Sequence, residues 1–208
     1  FVSAMSGEGH DRASLNLSKV AWCGYAQEDL IEAVASKQPK TVVVMAVPGP
    51  VLTGWRDRVA AILCAFLPGE QYGNAIVDLV TGDHAPQARL PVSMPLTPND
   101  QGMNDHQWPG IPSKEFPGHR EVTYSEGQIN GYRWYDKNGV APAFSFGFGL
   151  SYASFAYSSL HIEDRTVSFT VSRSADAHDG ACDTPQLYVS YPNAAADATV
   201  PTKVLRRF

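Results

Sequence analysis

The chain has 208 residues, 44% of them hydrophobic and 18% charged, with a formal net charge of -5. This is a globular composition and excludes a solvated polyelectrolyte, and the scattered Lys and Arg give no basic footprint for a phosphate backbone, so nucleic acid is not an expected partner. No apolar run approaches the roughly 18 residues that a bilayer crossing needs, and no membrane partner is expected.

The chain begins at Phe1 without Met, a basic n-region or a cleavage signal, and this end is expected to be the edge of something longer. Residues 6–12 read SGEGHDR, a polar loop in which Gly7 and Gly9 free the backbone on both sides of Glu8. Leu30, Ile31, Val34 and Ala35 recur at helical spacing within 29–35, and residues 41–47, TVVVMAV, are a continuous β-branched run, the pattern of a strand covered on both faces. Pro48-Gly49-Pro50 ends that strand. A short helix is placed at 55–59, a second apolar run at 60–66 closes at Pro68-Gly69, and a helix over 71–80 stops at Gly82, with Asp83 ordering the turn. The alternation of strand and helix predicts an α/β fold: a partial layered α/β sandwich of mostly parallel sheet flanked by helices, with right-handed crossovers.

Cys23, Cys64 and Cys182 are too few and too far apart for a disulfide framework and lack the pairing of a zinc site, so no metal is expected. Cys64, inside its apolar run, reads as a buried small hydrophobe. Residues 95–118 are crowded with Pro, Gly, Asn and Asp and show no periodicity for a helix or a sheet, which predicts a long surface excursion. Aromatics follow in GYRWYD (131–136) and FSFGFGLSY (144–152); Tyr132, Trp134, Tyr135, Phe146, Phe148 and Tyr152, like Trp55 earlier, read as packing. Alternation at 166–171 and 186–189 predicts short antiparallel strands of an immunoglobulin-like sandwich. With a domain change near 154, the residues left fall short of the roughly 100 such a sandwich needs, so a truncated all-β sandwich is expected. The Lys/Arg-rich end at 201–208 has no cap or closing strand behind it, and the isolated chain is not expected to unfold cooperatively, because strand edges are left uncovered.

Five segments in one order carry a resemblance: residues 6–12 with Leu15 and Leu17; 42–50 with Trp55; 67–73 with Gly82-Asp83 and Arg89-Leu90-Pro91; 131–136 with 146–152; and 185–189. Together they resemble the carboxy-terminal region of family 3 glycoside hydrolases of β-glucosidase type. The resemblance implies an amino-terminal (β/α)8 barrel that is not in this chain, a partial α/β sandwich domain at 1–95, a connecting segment at 96–153 and an incomplete fibronectin type III-like domain at 154–208. It also implies an extracytoplasmic protein, no cofactor, and a β-linked glucoside or oligosaccharide as substrate. One position departs from the pattern: Gln71 stands where the family commonly has a carboxylate, which leaves that carboxylate's role without a counterpart here.

Retaining glycosidases need two carboxyl groups about 5 to 5.5 Å apart, one attacking the anomeric carbon and one serving as acid and then base. The resemblance implies that the attacking aspartate lies on the barrel and that Glu8 is the acid/base. It places His10 beside the leaving-group sugar as a substrate contact, with Gly7, Gly9, Asp11 and Arg12 supporting the loop; by their own chemistry Asp11 and Arg12 read as an internal ion pair, since a bidentate contact of Arg with a carboxylate fixes geometry. β-Xylosidase and exo-β-glucanase specificities stay open, because substrate contacts would come largely from the barrel. A reading of another class, a non-catalytic carbohydrate-binding or interaction module in which the aromatic region does the binding, differs in predicting that Glu8 is dispensable. A nucleotide-binding domain is excluded, since neither GxGxxG nor GxxxxGK[ST] occurs. The sequon Asn16-Leu17-Ser18 is a weak pointer to export.

Overall fold

The structure, a computed structural model, describes residues 1–19, 24–174, 180–192, 194 and 196–208, so Cys23 lies outside the described residues. In chain order the elements are β1 (Val2–Ser3), α1 (Gln27–Lys37), β2 (Val42–Ala46), β3 (Ala61–Cys64), α2 (Tyr72–Thr81), β4 (Ile111–Pro112), β5 (Arg120–Glu121), α3 (Tyr132–Asn138), β6 (Phe155–Glu163), β7 (Thr166–Arg173), β8 (Leu187–Ser190) and β9 (Lys203–Arg207). Among the described residues no helix is long and apolar enough to cross a membrane.

The first three strands form one parallel sheet with β2 in the middle. Val43, Val44 and Met45 are consecutive and all buried, so β2 is covered on both faces, as its unbroken apolar run requires. Parallel neighbours need a crossover, and the first one runs through α1. Ile31 of α1 joins Val2, Leu17, Val43, Met45, Val51 and Trp55 in the main core. The helix expected at 55–59 is a single 3-10 turn, Arg56–Arg58, because Trp55 is drawn into the core and Val59 returns to extended backbone. Cys64 is half-buried rather than buried, at the end of edge strand β3; burial still pushes its thiol up. Helix α2 stops at Gly82 in the left-handed region (φ 86), and Thr81 Oγ1 donates to Asp83 at 2.7 Å, the turn expected there.

The excursion after residue 95 contains a small antiparallel pair, β4 with β5, contrary to the sequence reading. The pair is held by close backbone approach rather than by alternating burial. Gly110 has φ 86, and a Cβ there would lie 2.7 Å from the Glu121 carbonyl, while the Arg120 guanidinium donates to the Pro109 and Gly110 carbonyls at 3.1 and 2.6 Å.

Helix α3 also departs from the sequence reading, which gave 131–136 only as packing aromatics. It is the post on which the last strands sit. Tyr132 stacks on Phe146 with centroids 4.7 Å apart and meets Tyr188 edge-on at 5.9 Å, and Leu205 N–H donates to its hydroxyl at 2.9 Å. Asp136 pairs with Lys203 at 3.3 Å. Lys137 Nζ donates to three backbone carbonyls of the β8–β9 connection: Ala194, Asp197 at 2.7 Å and Val200 at 3.0 Å.

Beyond residue 154 the described residues form two separate two-stranded antiparallel sheets, β6–β7 and β8–β9. Strand β9 occupies the basic end that was expected to be open. In β6–β7 the register sets Tyr157 against Val171 and Ile162 against Val167, so with Phe169 one face is apolar, while Ser168, Thr170 and Ser172 lie on the other. Arg89 ties this part to the first. It donates to the Gly149 carbonyl and pairs with Asp183, to which Tyr157 Oη donates at 2.5 Å. Burial raises the Asp183 carboxyl, but hydrogen bonds from Tyr157 and Arg89 outweigh it and hold the group below the usual carboxylate range. The Tyr157 hydroxyl is pushed up to about 12 by burial and by that carboxylate.

Trp55→Ala is expected to cost about 3 to 5 kcal/mol, read as at least roughly hundredfold faster amide exchange in β2. The lowered Asp183 pKa means that its contribution is fully present above the ordinary carboxylate value and is lost as pH falls through the folded value. The protection factor of the Thr184 amide, whose N–H donates to Asp183 at 2.8 Å, is therefore expected to be constant above about pH 5 and to fall in acid; Asp183→Asn should abolish that pH-dependent fall.

Candidate active site

Residues 4–17 leave the carboxy-terminal end of β1 as one loop. Within it Gly7 N–H donates to the His10 carbonyl at 3.1 Å and His10 N–H to the Gly7 carbonyl at 3.0 Å. This is a two-residue turn with Glu8 and Gly9 at its tip. Gly9 has φ +71, a conformation that costs a side-chain-bearing residue roughly 1 to 2 kcal/mol, so glycine suits the position next to Glu8. Gly7 has open space around it, and nothing in the structure explains its glycine. Glu8 and His10 are both exposed.

The loop is anchored at two places. On its far side Arg12 donates to the Pro50 carbonyl at 3.0 Å and Leu52 N–H donates to the Leu15 carbonyl at 2.9 Å. Pro50 and Leu52 follow β2, and because β1 and β2 are parallel both loops emerge at the carboxy-terminal edge of the sheet, where open α/β folds gather their ligands. Among the described residues no ion pair joins Asp11 to Arg12; the guanidinium reaches across to a backbone carbonyl and leaves Asp11 in solvent. At its neck the loop is tied to the start of α1 through Gln27 and Glu28, which the sequence reading did not single out. Glu28 Oε1 accepts from Leu17 N–H at 2.7 Å. Gln27 is 8% exposed and bonds to both Ser3 and Ser18; two adjacent polar residues opening a helix were the available signal.

Beside the turn lies a cleft of about 470 Å³ whose lining includes His10, Asp11, Arg12, Asn16, Lys19 and Glu28. Glu8 is not part of that lining. Asn16 is exposed. A second hollow, of about 280 Å³, sits between α3 and β8–β9, but its rings Tyr132, Phe146 and Tyr188 are engaged with one another, which agrees with packing rather than a sugar platform. Among the described residues no group of three His, Cys, Asp or Glu side chains could hold a metal ion.

Residues 1–152 match the Glycosyl hydrolase family 3 C-terminal domain. A Rhizobium radiobacter beta-glucosidase is 38% identical over 192 residues, covering 88% of this chain and 22% of that protein. A probable beta-glucosidase D of Emericella nidulans is 33% identical, covering all of this chain and 26% of its own length. The chain thus spans about a quarter of the curated relatives it matches. Among solved structures, DesR, a beta-glucosidase from Streptomyces venezuelae in complex with D-glucose, superposes with a TM-score of 0.79 at 30% identity over 98% of this chain and 25% of that one. Beta-glucosidase 3B from Thermotoga neapolitana gives 0.76 at 30% identity, over 98% of this chain and 28% of its own. With a domain match that starts at its first residue and ends at 152, and with these relatives alongside, the chain belongs to the family 3 glycoside hydrolases and carries that family's carboxy-terminal domain.

Proposed function

We propose that this chain supplies the general acid/base of a retaining β-glucoside hydrolase whose nucleophilic carboxylate sits on a (β/α)8 barrel outside these 208 residues. The observation that carries the reading is the turn of residues 7–10, which holds the Glu8 carboxyl in solvent at the carboxy-terminal edge of the sheet. The naming of the relatives as beta-glucosidases supports a terminal β-glucosyl unit as the substrate.

In the first step the barrel carboxylate attacks the anomeric carbon while the Glu8 carboxyl gives its proton to the departing glycosidic oxygen. In the second the Glu8 carboxylate takes a proton from water, which attacks the same carbon and releases the sugar from the nucleophile. A general acid must keep its proton near neutrality, which burial or an adjacent negative charge brings about. A barrel closing over the exposed turn supplies both. His10 lines the neighbouring cleft and would meet the leaving-group sugar, while Gly9 and the Arg12 anchor keep the turn in place and Gly7 and Asp11 complete the loop. In the same reading residues 96–153 connect the domains and 154–208 begin a fibronectin type III-like domain, whose remaining strands would cover the apolar face of β6–β7. Export of the whole protein is part of the proposal, and the exposed Asn16 suits a glycosylated surface.

The test is Glu8→Gln in the complete enzyme, the barrel joined to this chain. For a glucoside with a poor leaving group kcat/KM is expected to fall by roughly 10² to 10⁴. A dinitrophenyl glucoside, which needs no protonation, should keep its kcat/KM, and azide should restore turnover by replacing base-activated water. Unchanged turnover of the poor substrate would refute the assignment of Glu8.

A further inference from the structure

We propose that Gln27 is a positioning residue for the general acid, its carboxamide closing the neck of the loop that carries Glu8; the inference rests on the reading of Glu8 given above. The loop departs after Ser3 and returns at Ser18. Gln27, the first residue of α1, stands between these flanks and is 8% exposed. Its Oε1 accepts from Ser3 N–H at 2.9 Å, and its Nε2 donates to the Ser3 carbonyl at 2.8 Å and to the Ser18 carbonyl. Among the described residues, the partners of its carboxamide are thereby the two ends of one loop.

The chemistry of the site calls for this side chain. Ser3 presents its N–H and carbonyl on the edge of β1 that β2 does not occupy, and a head group that matches them must carry an acceptor and a donor side by side. Only a primary carboxamide does so and has a second N–H left for Ser18. Gln27 therefore stands in for the peptide of a neighbouring strand. Two direct links complete the neck: Ser18 N–H donates to the Ser3 carbonyl at 2.9 Å, and Met5 N–H donates to Ser18 Oγ at 3.0 Å. Removing the carboxamide leaves backbone groups at both flanks without their buried partner. Among the described residues the neck would then keep only the Ser18–Ser3, Met5–Ser18 and Leu17–Glu28 links, and, so loosened, the turn that holds Glu8 could pivot about the far anchors at Pro50 and Leu52. A displacement of about 1 Å in a reacting group can cost about a hundredfold in rate, so the effect should fall on proton donation and leave the rest of catalysis intact.

The experiment compares Gln27→Met, which keeps length and apolar volume but has no amide, with Glu8→Gln in the complete enzyme. Both are assayed as kcat/KM on an alkyl β-glucoside and on a dinitrophenyl β-glucoside. For Gln27→Met the alkyl substrate is expected to lose roughly 10- to 100-fold and the dinitrophenyl substrate less than about threefold, a leaving-group dependence in the same direction as that of Glu8→Gln. Retained activity on the activated substrate also shows that the variant is folded. In the complete enzyme the amides of Ser3, Gly7 and His10 should exchange faster in Gln27→Met while those of β2 do not. If Glu8→Gln shows leaving-group dependence and Gln27→Met shows none, or loses equally on both substrates, the positioning role is overturned and the acid/base reading stands. If Glu8→Gln itself shows none, that reading falls and the inference with it.

Discussion

Parallel pairing of β1 with β2 is the constraint from which the site follows. A parallel pair sends both chains out of the sheet at the same edge, so the loop that carries Glu8 and the loop of residues 48–55 meet there without any long-range design. The pairing itself depends on a core that closes over β2 from both sides, with Trp55 and Ile31 on one of them. The same residues that make β2 a buried strand thus fix where a carboxyl on the neighbouring loop will stand. Arg12 and Leu52 are the visible seam between the two loops.

The second half of the chain is attached by polar devices more than by a shared core. Its small apolar cluster of Ala85, Ala153 and Ala181 buries little area, and the specific links are Arg89 with Asp183, Asp136 with Lys203, and the Lys137 ammonium among three carbonyls. The Arg89–Asp183 pair is largely withdrawn from water and is stable only where its partners are arranged for it, so it fixes orientation even where it adds little net stability; the Asp136–Lys203 pair is more exposed and is screened by solvent. Helix α3 collects two of the three, which explains why such a short helix governs the placement of β8 and β9.

What could be read in the sequence follows the range over which each element is determined. β2 and α2 were legible because their burial shows as runs and periods within a few residues of themselves, and the turn at Glu8 because Gly9 beside it takes the left-handed conformation that glycine favours. Helix α3 was not, since YRWYDKN has no clear period and is fixed from elsewhere, by Phe146, Tyr188 and the left-handed Gly139. Strand β6 hid behind a bulge at Ser159, whose φ of 54 breaks the alternation, and β9 behind its charges. Asp11 and Arg12 are adjacent and opposite in sign, yet the arginine was claimed by a carbonyl 38 residues away, which no local pattern records. Gln27 was missed for a related reason: a polar pair opening a helix was there to see, but its partners are backbone atoms, which side-chain identity does not name.

The clamped neck bears on how such a loop can vary through descent. Closing a flexible loop costs entropy that grows only with the logarithm of its length, about 0.6 kcal/mol for each doubling. With the ends held at Ser3 and Ser18 and the turn tied at Arg12, insertions near Ala13 and Ser14 would lengthen the wall of the cleft without moving the carboxyl at residue 8. A lineage could therefore remodel the cleft while residue 8 stays where it is; under the role proposed for Glu8, that would change what meets the leaving group without moving the proton donor.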